Sequence, residues 1–350
     1  MLKKEDKLYG SNKPIICDFQ QYDYDVYEYQ IELDGREIYT GRLALDYDVQ
    51  VDVDVAPIIR DFIEWDEGNM FVENNTNTES IHNVSKLYKF KVTSDYIEHN
   101  FNLIYDYSID QRYAAKVHYG ALNYYITEEH SLSAPLFITY YNFTGEDAVC
   151  EFYEEKNSMN PVKSFAIPAN DYINVLKIPR PSSFAKQGIY YATLRTNKGS
   201  YIGRKYFNFR YYCENSFDTE RTGATVYYIN SVGGVDSLML FGKESLAWKG
   251  DKVSYNRPNI YSHLGKHKNT LIGAELERIY TFNTGILKDF EAAKITELIY
   301  SPKVWLYLPH YNMFSAVNIN STNVNTKTWR NDKIVNYTLE FVEDKKYIRR

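Results

Sequence analysis

The chain has 350 residues, of which 44% are hydrophobic, 25% charged and 16% aromatic, the balance of a folded protein rather than a disordered one. Its 40 Lys and Arg against 46 Asp and Glu give a formal charge of −6, which excludes a general attraction to nucleic acid or anionic lipid. No apolar run approaches the roughly 18 residues that cross a bilayer, and the first residues lack the apolar core of a secretory signal. The expectation is synthesis and folding in a cytoplasm, without membrane insertion.

The elements predict a mainly β chain of two or three domains. After a polar arm over residues 1–12, residues 26–43 read as two alternating strands joined at Asp34-Gly35, a strong hairpin signal. Residues 49–55 alternate strictly and lead into Ala56-Pro57, where Ile58, Ile59, Phe62 and Ile63 have the spacing of one or two helical turns. Further strands at 87–93, 101–107 and 119–126 complete a β-sandwich-like domain over 13–128. Six or so short strands spaced near ten residues follow, with a last hairpin turning at Asn197-Lys198-Gly199. They predict an immunoglobulin or fibronectin type III sandwich over 129–215, without the Cys pair and Trp of an antibody domain. Residues 216–343 form a third, β-rich domain. It carries one amphipathic helix near 284–300, where Ile286, Leu287, Phe290, Ala293, Ile295, Leu298 and Ile299 fall largely on one side and Ser301-Pro302 stops the run. The 35 tyrosines suit half-exposed strand faces and subunit interfaces.

No chemistry-bearing motif emerges. Cys17, Cys150 and Cys213 are too few and too scattered for a disulfide framework or zinc site, and should be reduced thiols in apolar surroundings. His263 and His267 have the i, i+4 spacing of metal ligands, but the residues between read as a turn and the Glu of a zinc-protease motif is missing. The pairs Asp23/Asp25, Asp46/Asp48 and Asp52/Asp54 lack calcium-loop spacing and read as solvated sheet faces. Gly233-Gly234 matches no phosphate-binding loop and marks a backbone needing positive φ or close approach. No nucleophile elbow occurs, and nothing selects a glycosidase carboxylate pair. The expectation is a non-enzymatic chain with no cofactor and no metal. Trp65, Trp248, Trp305 and Trp329 are the first suspects if the protein stacks on sugars as a carbohydrate-binding or adhesin module, with core packing as the alternative reading.

Three stretches resemble one family. Tyr29-Gln-Ile-Glu-Leu-Asp-Gly-Arg-Glu-Ile-Tyr-Thr-Gly-Arg-Leu43, followed by Val51-Asp-Val-Asp-Val-Ala-Pro-Ile-Ile-Arg-Asp-Phe62, is one. The others are Val226-Tyr-Tyr-Ile-Asn-Ser-Val-Gly-Gly-Val-Asp-Ser237 with its following strand, and Leu298 to Tyr307 with Asn336 to Phe341. Together they resemble structural proteins of tailed phages of gut Bacteroidota, crAss-like phages included. The resemblance implies a virion protein of tail, collar or baseplate type, located in the tail or neck. Its partners would be other virion components, portal among them, and copies of itself in a six- or twelve-fold ring. No catalytic residue carries over.

The two ends are charged and carry too little apolar surface to fold on themselves. Neighbouring subunits are therefore expected to order them, with Lys345, Lys346, Arg349 and Arg350 of the tail 344–350 set against an acidic partner surface. The alternative is that each lies along its own domain as an edge strand.

Overall fold

The computed structural model describes residues 8–10, 15–19, 26–44, 51–72, 78–94, 98–104, 127–141, 146–157, 159–170, 172–199, 201–211, 222–243, 245–256, 269–285, 287, 289–309, 311–320, 336–345 and 347–349. Strand dominates them, with two α-helices. The chain divides into two compact units: residues 1–128, 135–209 and 229–236 make the first, and 129–134, 210–228 and 237–350 the second.

The first strands are β1 (Leu8–Gly10), β2 (Ile16–Phe19), β3 (Val26–Leu33), β4 (Arg36–Ala44) and β5 (Val51–Asp54). Helix α1 (Ala56–Arg60) follows, then β6 (Ser80–Lys86), β7 (Tyr88–Ser94) and β8 (Glu98–Ile104). The β3–β4 hairpin turns where the sequence places it. Asp34 and Gly35 have φ of 50° and 81°, the double positive φ of a tight primed turn. A sheet in the order β1-β8-β7-β3-β4 results, and β2 pairs with β5 separately. Ile31, Phe90, Val92, Phe101 and Leu103 from the sheet pack with Ile15 and Cys17 of the β2 region and with Val55, Ala56 and Ile59 at α1. The carboxylate of Asp54 accepts from the N–H groups of Ile15 and Ala56 at 2.9 and 3.0 Å, fixing the path into α1.

Next come β9 (Thr127–Ser131), β10 (Leu136–Tyr141), β11 (Ala148–Glu154), β12 (Lys163–Ile167), β13 (Tyr172–Ile178), β14 (Gly188–Thr196) and β15 (Tyr201–Arg210). They form two sheets, β10-β13-β6 and β12-β11-β14-β15-β9. The order is Ig-like: β10 and β13 hold the B and E positions, β11, β14 and β15 hold C, F and G, and β12 stands at C′. The place beside β13 is filled by β6, which precedes β9 by some forty residues of chain. A sheet therefore spans the expected boundary at 128–129, and strands of both predicted blocks share one core. Both faces of β13 are covered, so Ile173 to Ile178 are all buried, whereas β11 alternates. Phe71 reaches Phe137 at 5.2 Å, and the Lys177 ammonium donates to the Met70 carbonyl at 2.7 Å. Burial pulls the Lys177 pKa below its ordinary value.

The second unit is built on β16 (Thr222–Ile229), β17 (Val235–Lys243), β18 (Ser245–Asn256) and β19 (Asn269–Asn283). Helix α2 (Asp289–Tyr300) follows, then β20 (Val304–Leu308), β21 (Met313–Ile319), β22 (Thr338–Glu343) and β23 (Tyr347–Arg349). One sheet runs β17-β16-β20-β21-β22-β19-β18, with β23 also on β19. Ile295 and Leu298 of α2, with Leu287 before it, pack on Val226, Tyr228, Tyr280, Phe282, Leu306, Val317 and Phe341. The helix begins at Asp289, later than its periodicity suggests; Gly285 before it has φ of 69°.

One expectation is corrected here. Over its described residues each arm takes the edge-strand alternative: β1 pairs in parallel with β8, and β23 pairs antiparallel with β19. Among the tyrosines, Tyr140, Tyr227, Tyr228 and Tyr280 are fully buried. Cys17 and Cys150 are buried thiols outside any disulfide, burial pushing Cys150 up to about 12; Cys213 lies outside the described residues. The strand expected at 119–126 lies outside them too.

The turn geometry gives a direct test. Gly35→Ala forces an L side chain into left-handed backbone and should cost about 1 kcal/mol, while Gly35→Asn should cost visibly less. Urea unfolding of the three proteins measures it, and an alanine variant as stable as the glycine one would contradict the turn assignment.

Candidate functional site

Two polar constellations stand out, one buried and one exposed. The buried one holds the Gly-Gly turn. Asn230 folds the segment 229–236 around its side chain, accepting from the N–H groups of Val232 at 3.1 Å and Gly234 at 2.8 Å. Gly233 takes φ of 81°, the positive φ its sequence suggests, and its carbonyl accepts from the Trp65 indole N–H at 3.0 Å. The Asn230 amide donates to Asp236 at 2.8 Å, and the Lys205 ammonium lies 3.2 Å from Asp236 and also pairs with Glu128. Burial opposes the charge on Lys205, but the Glu128 and Asp236 carboxylates outweigh it and hold the pKa above its ordinary value. With Lys205, Glu128 and Asp236 all nearly inaccessible, this is a fastening of the core and not a surface for a ligand. The nearby cavity of about 20 Å³ lined by Tyr140, Cys150 and Thr193 has room for a water-sized guest only.

The exposed constellation lies on β18, β19 and β23. Register puts Leu246 opposite Tyr280, Trp248 opposite Arg278 and Gly250 opposite Leu276. Side chains alternate along a strand, so one face of β19 carries Phe282 and Tyr280 into the core and then Arg278 beyond it. The Arg278 guanidinium lies over the Trp248 ring at 4.8 Å and the Tyr347 ring at 5.1 Å. Those rings meet edge to face at 5.4 Å. Glu343, nearly buried, anchors the group: it lies 3.6 Å from Arg278 Nε and accepts from the Tyr347 hydroxyl at 3.1 Å. Burial and the Glu343 charge push the Tyr347 phenol up, so it stays neutral and donating. Trp248 remains 49% exposed, and Leu246 and Tyr255 of the same strand are about as open. An aromatic and a guanidinium locked in this way form a rigid, amphipathic contact surface.

Among the residues singled out from sequence, Trp248 belongs to this face and Lys345 adjoins it, exposed, with its ammonium 5.3 Å from the Tyr347 ring. Arg349 lies in β23 opposite Ala274, while Lys346 and Arg350 fall outside the described residues. Trp65 and Trp305 are buried packing residues, and Trp329 is outside the described set, as are His263, His267 and the Asp23/Asp25 and Asp46/Asp48 pairs. Arg278, Glu343 and Tyr347 were not singled out; the alternation Leu276, Arg278, Tyr280 against Glu275, Glu277 would have placed Arg278 on the aromatic face.

No family model matches the chain, and no curated protein matches it. Several solved structures are similar in part. A titin tandem of Ig domains is 9% identical over 58% of this chain and 92% of that one, with a TM-score of 0.22. Drosophila OTK extracellular domains 3–5 are 9% identical over 79% and 89%, with a TM-score of 0.23. The Bacteroides ovatus SGBP-B of a mixed-linkage glucan utilization locus, in complex with a mixed-linkage heptasaccharide, is 8% identical over 69% and 65%, at 0.22. Scores this low carry no argument, and the Ig-like assignment stands on strand order.

The two constellations should respond oppositely to mutation. Lys205→Met leaves two buried carboxylates facing each other and should cost about 3–5 kcal/mol, whereas Trp248→Ala should cost under about 1 kcal/mol. The folded pKa of Lys205 is raised, so its contribution is complete below about pH 10 and lost as pH rises through the folded value. Denaturant melts at neutral and alkaline pH report both, and a mild Lys205→Met effect would show the cluster not to fasten the core.

Proposed function

We propose that the chain is a non-enzymatic structural subunit of a multi-protein assembly, of the tail or neck type in a phage virion, and that it meets its neighbours through the β18–β19 arm and the adjoining tail. The observation that carries this is the arm. Strand β19 has a second neighbour over Ile279–Asn283 in β22 and over Ala274–Leu276 in β23. Its first residues, 269–273, pair with β18 alone among the described residues. A bare two-stranded ribbon is marginal in water, and with Tyr255 exposed on it and Leu246 and Trp248 exposed at its root, the arm is suited to burial against another surface. Lys345 and Arg349 lie in the segment beside its root, where an acidic partner surface would complete them together with Lys346 and Arg350 of the same sequence. The sequence resemblance to phage structural proteins points the same way.

The exposed ring of Trp248 also favours a second reading, a sugar-stacking module. Co-expression with the other virion components, followed by native mass spectrometry, separates the two. Assembly lost in Trp248→Ala supports the structural subunit. A wild-type chain that joins no virion component but binds a glycan array through Trp248 would replace it with the second reading.

A further inference from the structure

We infer that Lys205 and Asp236 condense within the folded chain into a side-chain amide cross-link, with Glu128 relaying the proton and Asn230 polarising the carboxyl group. The inference is independent of the assembly reading above, and the ion pairs already described are its reactants. All four side chains are buried. Lys205 Nζ lies 3.2 Å from Asp236 Oδ1 and also pairs with Glu128 Oε2. The other Asp236 oxygen, Oδ2, accepts from the Asn230 amide at 2.8 Å. That amide is fixed in direction, because its own oxygen accepts from the N–H groups of Val232 and Gly234. Asp236 thus shows one oxygen to the nitrogen and the other to a preset donor, the arrangement that stabilises charge developing on a carboxyl oxygen under attack. Glu128, in contact with the ammonium, is set to take its proton.

The step balances without any co-reactant. Lys205 rests as an ammonium, and one of its protons passes to Glu128. The freed lone pair forms the Nζ–Cγ bond to Asp236, and the charge that moves onto Oδ2 is met by Asn230. The Cγ–Oδ1 bond then breaks with its electron pair, and Oδ1 takes one proton from the nitrogen and one back from Glu128, leaving as water. The products are a neutral amide that keeps one N–H, a molecule of water and the Glu128 carboxylate restored. Holding the groups at hydrogen-bond range makes the condensation intramolecular. Burial favours it, since an ammonium and a carboxylate give way to an uncharged amide where the solvent that would hydrolyse it is excluded. The cavity of about 20 Å³ lined by Lys205, Tyr140 and Cys150 has room for the water released.

Intact-mass spectrometry of the full chain, unfolded after purification, tests this. Wild type should be lighter than its unmodified sequence by one water molecule. Tryptic digestion should then give a single branched peptide that carries both Lys205 and Asp236 and is uncut after Lys205. Glu128→Gln should keep the unmodified mass, its condensation slowed at least about a hundredfold, and Lys205→Arg should keep it as well. The alkaline loss of stability expected of the ion pairs belongs to the chain before condensation. A wild type at the full sequence mass overturns the inference, whether or not the variants fold. A missing water mapped to one unbranched peptide, as a cyclised aspartate would give, overturns it too, as does a Lys205 amide formed with Glu128. A folded Glu128→Gln that condenses as fast as wild type overturns the proton relay.

Discussion

The first unit depends on one ammonium group. Lys205 on β15 reaches Glu128 at the start of β9 and Asp236 at the end of the Gly-Gly turn, stretches separated by 77 and 31 residues from it. Each carboxylate is the last residue of one of the unit's segments. A buried charge pair gives little net stability against a well-packed apolar alternative, but breaking it is expensive, so its role is to specify which segments meet. Asn230 extends that specification to the turn itself, converting the loop between β16 and β17 into a fixed object that Trp65 grips from elsewhere in the unit. The polar cluster therefore fixes a topology that hydrophobic burial alone would leave ambiguous.

Around that anchor the Ig-like sandwich borrows. Its β10–β13 pair takes β6 as the third strand, with pairing from Lys86 to Tyr172 through Ser80 to Lys177. Such an addition satisfies the outer backbone groups of β13, which is buried too deeply to be left unpaired. The consequence is that the first two sequence blocks cannot be separated at 128 without exposing Val175 and Leu176, both buried. The second unit solves its edges differently: β23 extends along β19, and β18 is the last strand of the sheet among the described residues.

What the sequence made legible follows the range of the interactions. Local signals held: positive φ at Asp34, Gly35, Gly199 and Gly233, alternation in β11, and the turns of α1 after Pro57. Pairings set by distant residues did not announce themselves. Nothing near His82 shows that it will lie opposite Val175, and nothing near Lys205 shows its two carboxylates. The same division runs through the candidate site. Trp248 could be noticed as one of four tryptophans, but its place opposite Arg278 is a fact of the β18–β19 register. Glu343 and Tyr347 join it only because β22 and β23 both lie along β19.

The tail shows why charge alone was a poor guide to order. Residues 344–350 have little apolar surface, yet β23 needs only three backbone pairs because Tyr347 brings a packing partner with it. Its ring closes over Arg278 and against Trp248, and its hydroxyl reaches Glu343, so one aromatic residue ties the tail to the root of the arm. The guanidinium keeps its charge, lying over the Trp248 and Tyr347 rings, with Tyr280 accepting from one of its N–H groups at 3.1 Å. The root is thus braced on three strands, while the outer ribbon, among the described residues, has two.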